Sequence, residues 1–171
     1  MQSERLIFRK FNLDDIDDVY EFGSDDETCE FVTWDKHKNL IETKKVVEDI
    51  FMKNEYCFAI VEKISNKCIG SFDFRADIKN NSLTFGYVLN KKYWNKGYMS
   101  ETLNFMLDYA FNTLKVNKVC GLHIKENVAS GRVMEKCGLK IEGEFEDAEF
   151  FKGRYITLVY RGILRRNYKG E

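Results

Sequence analysis

A short polar turn near the middle of the chain carries residue types that can bind an anion. It covers residues 95–100, contains Gly97, and separates an apolar run at residues 85–89 from a strongly amphipathic stretch. A helix that starts at such a turn has first N–H groups without intrahelical partners and a partial positive charge. The junction suits a phosphate or pyrophosphate, so an anion site is our central hypothesis, with an ordinary loop as the alternative.

Downstream of the turn, apolar residues recur at the spacing of one helix face. They fall at i, i+3, i+4, i+7, i+8 and i+11 of a single run: Leu103, Met106, Leu107, Ala110, Phe111 and Leu114. This periodicity predicts an amphipathic helix that begins at the glycine turn and buries one face in a core.

The size and charge of the chain favour one globular domain with a small-molecule or peptide ligand. At 171 residues with 44% hydrophobic content, a chain of this size buries roughly 70% of its unfolded surface, so we predict a single domain over residues 1–171. The 27 Lys and Arg nearly cancel the 28 Asp and Glu, and no basic run is present. We therefore expect no nucleic-acid partner.

Neither the N-terminal segment nor the cysteines suggest secretion. The first ten residues carry no apolar signal core, and no apolar run approaches the length of a bilayer span, so we expect a cytoplasmic protein without membrane association. The five cysteines are odd in number, lie far apart and form no Cys-x-x-Cys pair. This pattern argues against a disulfide framework and against a zinc site, and we expect no metal.

The remaining periodicities predict the order β-α-α-β-β-β-α-β-α-β-β and one mixed sheet with helices. Strands are predicted at residues 5–11, 56–62, 67–75, 82–89, 118–124, 139–151 and 154–162. Helices are predicted from Asn12, at residues 40–53, after the glycine turn, and from Asn127 to a terminating Gly138. The strands that flank the central helix should be parallel, because a strand-helix-strand unit makes a right-handed crossover.

Two motifs resemble one enzyme family. Residues 126–138 read Glu-Asn-Val-Ala-Ser-Gly-Arg-Val-Met-Glu-Lys-Cys-Gly, and residues 94–99 read Trp-Asn-Lys-Gly-Tyr-Met. With the element order, they resemble the GNAT superfamily of acyl-CoA-dependent N-acyltransferases, and within it the RimJ/RimL-type group. The second motif of that family, Asn-x-x-Ser-x-Arg-Val-x-Glu-Lys-x-Gly, matches at nearly every informative position. Of the first, Gln/Arg-x-x-Gly-x-Gly/Ala, only Gly97 matches, because Trp94 and Met99 replace the outer positions.

The resemblance implies an α/β (α+β) fold: a mixed, mostly antiparallel sheet of about seven strands, about four helices, and a splayed parallel strand pair at its centre. It also implies acetyl-CoA as co-substrate, with its thioester arm lined by Tyr87, Val88 and Leu89. A backbone N–H, at Val88 or Leu89, would polarise the thioester carbonyl and stabilise the tetrahedral intermediate. The turn formed by Trp94, Asn95, Lys96, Gly97, Tyr98, Met99 and Ser100 would wrap the pyrophosphate.

The second motif would supply the remaining contacts to acetyl-CoA, the acyl donor, and these contacts form the donor side of the site. By the resemblance, Asn127 caps its helix and contacts the pantetheine arm, and Ser130 donates a hydrogen bond or a proton to the departing thiolate. The family's frequent tyrosine acid is excluded, because Met134 holds that position. Arg132 would reach a CoA phosphate or else pair with Glu135 or Glu126. A cysteine nucleophile, Cys120 or Cys137 with His123, is the weaker rival to direct attack by an amine.

The acceptor must be a neutral amine when it attacks. A lysine amine with a pKa of about 10.4 is neutral about 0.1% of the time at pH 7.4, whereas an α-amine is neutral roughly 20 to 35% of the time. Candidate bases are Asp73 and Glu30, and Phe31 and Trp34 are candidate acceptor contacts. Since no base stands out, we favour acetylation of a protein or peptide N-terminus. We expect the enzyme to be a monomer or a homodimer. The alternatives are a small-molecule amine or antibiotic acetyltransferase, a non-catalytic acyl-CoA-binding module, and a scaffold domain without cofactor.

Overall fold

The structure is a computed structural model that describes residues 1–170. Its strands are β1 (Leu6–Arg9), β2 (Cys57–Glu62), β3 (Cys68–Asp77), β4 (Ser82–Leu89), β5 (Lys118–Ile124), β6 (Lys140–Phe151) and β7 (Arg154–Leu164). Its α-helices are α1 (Ile16–Gly23), α2 (Leu40–Val46), α3 (Tyr98–Asp108) and α4 (Val128–Lys136). Within residues 1–170, no helix is long and apolar enough to cross a membrane.

The seven strands form one mixed sheet in the order β1-β2-β3-β4-β5-β7-β6. The pairs β1–β2, β2–β3, β5–β7 and β7–β6 are antiparallel, and β4–β5 is parallel, with a register from Ser82 opposite Lys118 to Phe85 opposite Gly121. The predicted sheet of about seven strands, the four helices and the parallel central pair are therefore confirmed. The splay of that pair stays a prediction.

The chain separates into two compact units. Unit 1 comprises Met1–Asp73 and Tyr87–Tyr98, and unit 2 comprises Phe74–Gly86 and the chain from Met99 onward. Strands β3 and β4 each contribute residues to both units. The assignment of residues 1–171 to a single acetyltransferase domain stays a prediction.

The core of unit 1 is built by α1, β2 and the segment before α1. Asn12 begins that segment as predicted: its side chain accepts from the Asp14 N–H, and the Asp15 carboxylate accepts from the Asn12 N–H. Asp15 also accepts two hydrogen bonds from the Arg9 guanidinium, which compensate its burial. The apolar core includes Phe11, Val19, Phe22, Val47, Cys57, Ala59, Val61, Cys68 and Val88.

The core of unit 2 contains the predicted face of α3. Leu103, Met106 and Leu107 are fully buried, as the periodicity predicted. The predicted helix is interrupted, however, because a π-helical turn, Tyr109–Thr113, follows α3. The wider turn keeps Ala110 and Phe111 buried while shifting the carbonyl that each N–H reaches, and apolar spacing alone does not reveal that shift.

Strand β7 ends later in the structure than the sequence predicted, because its last residues are paired with β5. Strand β7 continues past Gly162 to Leu164 because Ile163 and Leu164 pair with the first residues of β5. The hairpin between β6 and β7 turns at Lys152 and Gly153 as predicted, with φ of 46° and 88°. Two positive φ angles are the requirement of a turn that matches strand twist.

Candidate active site

The glycine turn before α3 contains two residues with positive φ angles. Asn95 and Gly97 have φ of 60° and 80°, in the left-handed region where glycine is the least strained residue. A methyl group placed on Gly97 would meet one atom, the Arg5 Nη2, at 3.4 Å. Since α3 begins at Tyr98, the first backbone N–H groups of this helix lie at the turn, and the binding of a pyrophosphate there stays a prediction.

The turn is tied to the N-terminal part of unit 1. The Arg5 Nη1 donates to the Lys96 carbonyl oxygen at 2.9 Å, and the Arg5 guanidinium lies 4.4 Å from the centre of the Tyr98 ring. The Tyr98 hydroxyl donates to the Glu62 carboxylate. Sequence reasoning missed Arg5 and Glu62, and no local pattern marks them, because Arg5 and Lys96 are 91 positions apart.

Trp94 connects the turn to the end of β4. Its indole N–H donates to the Leu89 carbonyl at 2.7 Å, although 40% of the residue is exposed. This hydrogen bond joins the turn to the strand that we predict lines the thioester arm. Comparison of the motif alone did not predict this structural role of Trp94. Lys96 and Asn95 are exposed beside it.

Tyr87 is half-buried, whereas Val88 and Leu89 are each 8% exposed. Strand β3 approaches this segment closely: a methyl group on Gly70 would lie 2.3 Å from the Val88 carbonyl oxygen. The N–H of Asn90 donates to the Ile69 carbonyl on β3 at 2.8 Å. Since successive N–H groups of a strand point to opposite sides, the Leu89 N–H points away from β3.

A polar network that no sequence pattern predicted follows β4. The Asn90 side chain donates to the Glu21 carboxylate at 2.8 Å, and the Lys92 ammonium lies 2.9 Å from the same oxygen. These hydrogen bonds, first from Lys92 and then from Asn90, lower the pKa of Glu21. Lys91 pairs in turn with Asp25 at 2.7 Å. The positive charge of Lys92 is thus balanced within the protein.

The predicted acceptor residues all lie in unit 1. Phe31, Trp34 and Asp73 are half-buried, and Glu30 is exposed. Trp34 packs against the core cluster that includes Val88, and its ring centre lies 5.2 Å from that of His37. Their contact with an acceptor stays a prediction.

Unit 2 holds the remaining predicted donor-side residues. Met99 is only 6% exposed, so its side chain is packed within the protein. Ser100 is half-buried, and its carbonyl accepts from the Cys137 thiol at 3.5 Å, which joins the start of α3 to the end of α4.

Helix α4 begins as predicted. The Asn127 side-chain oxygen accepts from the Ser130 N–H at 3.1 Å and so caps the helix, and Gly138 ends it with a φ of 85°. Ser130 is half-buried in the first turn, and Arg132 is exposed. Glu126, one proposed partner of Arg132, instead forms an ion pair with Arg154 at 3.2 Å.

Burial opposes the ionisation of Cys57, Cys68 and Cys120. Burial raises the pKa of Cys57 to about 12 and also raises the pKa of Cys120. His123 makes its polar contacts with the Ile124 carbonyl at 2.9 Å and with the Arg161 guanidinium at 3.4 Å. Among residues 1–170, no cluster of three or more His, Cys, Asp or Glu side chains could hold a metal ion.

Known proteins match this chain in both sequence and fold. A family model described as an acetyltransferase (GNAT) domain matches residues 5–140. The uncharacterized N-acetyltransferase p20 of Bacillus licheniformis is 27% identical over 99% of this chain and 98% of its own length. Spermidine N(1)-acetyltransferase of Vibrio cholerae is 28% identical over 64% of each chain.

Two solved structures share the fold. A GNAT-family acetyltransferase from Bacillus anthracis has a TM-score of 0.89 at 28% identity, covering 96% of this chain and 98% of its own. Spermidine N-acetyltransferase from Vibrio cholerae, solved with CoA and spermine, has a TM-score of 0.82 at 20% identity, covering 96% and 98%. The family match includes the glycine turn and all of α4. The chain belongs to the GNAT family and is an acetyl-CoA-dependent N-acetyltransferase.

Proposed function

We propose that this enzyme acetylates a primary amine by direct attack on acetyl-CoA, that it is of the RimJ/RimL type, and that its acceptor is a protein or peptide N-terminal α-amine. The observation that carries the proposal is the left-handed turn at Gly97, which opens backbone N–H groups at the start of α3 to a pyrophosphate. Trp94, Asn95, Lys96, Tyr98, Met99 and Ser100 form the rest of that site.

On the donor side, Tyr87, Val88 and Leu89 line the thioester arm. We assign the polarising N–H to Leu89 rather than Val88, because the hydrogen bond from Asn90 to β3 leaves the Leu89 N–H on the other side of the strand. A fixed backbone donor at the thioester oxygen stabilises the negative charge that develops there as the amine attacks. Arg132, exposed on α4, supplies positive charge to a CoA phosphate.

The amine nitrogen forms a bond to the thioester carbon, the carbon–sulfur bond breaks, and CoA leaves as the thiolate. Ser130 donates a hydrogen bond or a proton to that sulfur, and Asn127 holds the first turn of α4 by its cap. The attacking nitrogen loses its proton to Asp73 or Glu30. The raised pKa of Cys120 argues against this thiol as a nucleophile.

A small-molecule amine is the second acceptor class, because a relative that is 28% identical is named a spermidine N(1)-acetyltransferase. Phe31 and Trp34 would contact either acceptor. We place the enzyme in the cytoplasm as a monomer or homodimer acting in one domain, and its five free cysteines are consistent with a reducing compartment.

Ligand binding and turnover test the proposal separately. At one hundred times its dissociation constant, CoA should stabilise the fold by about 2.7 kcal/mol, which for a chain of this size raises Tm by roughly 5 to 11 °C. Peptides with free N-termini, polyamines and aminoglycosides are then assayed with acetyl-CoA, and products are identified by mass spectrometry. Acetylated peptide α-amine is expected. Acetylation of polyamine alone would overturn the peptide assignment, and CoA binding without any product would favour the non-catalytic module.

A further inference from the structure

We propose that Arg5 is a positioning residue for the donor site: it orients the glycine turn so that the Gly97 N–H faces the pyrophosphate. The inference rests on the proposed role of this turn in CoA binding. All of the contacts that carry it lie within unit 1.

The first step is the orientation of one peptide group. The Arg5 Nη1 donates to the Lys96 carbonyl oxygen at 2.9 Å. In a trans peptide the carbonyl and the following N–H point in opposite directions, so the Gly97 N–H points away from Arg5. A turn that binds an anion needs its N–H groups outward and its carbonyls turned back. By accepting from Arg5, the Lys96 carbonyl oxygen is held on the side of the turn opposite to the proposed ligand.

The second step is the hold on the first residue of α3. Tyr98 is buried, with the Arg5 guanidinium 4.4 Å from its ring centre and its hydroxyl bonded to Glu62. Hydrogen bonds from Ser65 and then from Tyr98 lower the pKa of Glu62, which keeps this carboxylate ionised at neutral pH. A cation on the ring face and an anion at the hydroxyl therefore fix the Tyr98 side chain.

The third step is the rigidity of the support. Leu6, next to Arg5, pairs with Glu62 in the β1–β2 register, and the Arg5 carbonyl accepts from the Lys63 N–H at 3.0 Å. Glu62 thus ends β2, and Arg5 directly precedes β1, the strand that is paired with β2. Sites held by strands keep their geometry better than sites held by loops alone.

A substitution at Glu62 can distinguish this positioning role from a simple attraction between the charge of Arg5 and the anionic ligand. If charge alone mattered, removing the negative charge of Glu62 would strengthen binding of the anionic ligand. If the geometry of the turn matters, Glu62→Gln weakens it, because Tyr98 loses a charge-assisted partner. The sign of this change separates the two explanations.

The test compares CoA, which carries the pyrophosphate, with acetyl-pantetheine, which lacks it. Dissociation constants for CoA are measured by calorimetry, and kcat/KM is measured with acetyl-CoA and with acetyl-pantetheine. We expect Arg5→Ala to weaken CoA binding about tenfold, the loss expected when a charge-assisted hydrogen bond is removed, and to leave kcat/KM for acetyl-pantetheine within about twofold. Arg5→Lys should recover part of the loss, and Glu62→Gln should weaken CoA binding about threefold.

The exposed Arg166 supplies a matched control, because Arg166→Ala removes the same charge far along the chain and should leave CoA binding unchanged. Tm without ligand shows whether each variant is folded. Equal losses for both donors in Arg5→Ala and Arg5→Lys, or tighter CoA binding by Glu62→Gln, would overturn the inference. A wild type with no preference for acetyl-CoA over acetyl-pantetheine would instead reject the pyrophosphate role of the turn itself.

Discussion

Gly97 and Gly153 have nearly the same backbone conformation and very different neighbourhoods. Their φ angles are 80° and 88°, so an alanine is strained at either position. Gly97 opens the proposed pyrophosphate turn, whereas Gly153 sits at the tip of the β6–β7 hairpin with no atom within 4 Å of an added Cβ. The pair separates backbone strain from ligand binding.

We expect Gly97→Ala and Gly153→Ala each to lower the free energy of unfolding by about 1 to 2 kcal/mol, the cost of a left-handed alanine. Only Gly97→Ala should also weaken CoA binding, because strain relief there moves N–H groups that hold the ligand. Denaturant unfolding and calorimetric titration with CoA provide the two measurements. Equal CoA affinity in both variants would contradict the assignment of the turn.

Ser130 offers a second contrast at this scale. The cap of α4 uses the Ser130 backbone N–H, which alanine also has, so Ser130→Ala keeps the cap. We expect the rate of acetyl transfer to fall about a hundredfold, the low end for a proton donor, with CoA affinity unchanged. Asn127→Ala, by contrast, should cost about 1 kcal/mol of stability through the lost cap. If the steady-state rate of acetyl transfer by Ser130→Ala equals that of the wild type, the Ser130 hydroxyl has no catalytic role.

At the scale of elements, the approach of β3 to β4 is the tightest constraint near the donor site. A methyl group on Gly70 would come within 2.3 Å of the Val88 carbonyl oxygen, a distance that forces one strand to move. The displaced segment carries Leu89, whose N–H we assign to the thioester carbonyl. If the Leu89 N–H has the role that we propose, a substitution at Gly70 should therefore affect catalysis.

Gly70→Ala should therefore reduce kcat while costing about 1 to 3 kcal/mol of stability, the usual range for overpacking. An Ala59→Gly variant on the neighbouring strand, which loses contacts without a clash, is a control for stability alone. Comparing kcat at a temperature well below both Tm values isolates the geometric effect. A Gly70→Ala enzyme with unchanged kcat would mean that Val88 and Leu89 tolerate the displacement.

At the scale of the whole molecule, we expect the two histidines to make stability depend on pH in mildly acidic solution. Burial lowers the pKa of both His37 and His123, and His37 also contacts the Thr43 hydroxyl at 3.0 Å. In the unfolded chain a histidine titrates near 6.5, so below that pH the unfolded state binds more protons than the folded state. Stability is then complete above about pH 6.5 and decreases as the pH falls towards the lower folded values.

We expect Tm to fall between pH 7.5 and pH 5.5, a range above the lowered pKa values of Glu21 and Glu62. Replacing His37 by Gln should lower Tm at pH 7.5 but weaken its dependence on pH, since the titrating group is gone. Calorimetric scans at the two pH values measure both effects. A wild-type Tm that does not change over this range would contradict the prediction.

The sequence by itself determined features whose causes are local. The caps at Asn12 and Asn127, the end of α4 at Gly138 and the buried face of α3 follow from hydrogen bonds and periodicities within one or two turns. The parallel β4–β5 pair followed from the handedness of one crossover. Such features need no distant partner, so residue type and spacing were sufficient.

Only the tertiary structure decided which distant groups support the site. Arg5 reaches Lys96 across 91 positions, and Gly70 passes against Val88. Each contact depends on how strands are paired and spaced, and no residue type at either end specifies the other. The glycine turn could therefore be found from its own residues, whereas the strand residues that hold it in place became visible only when the chain was folded.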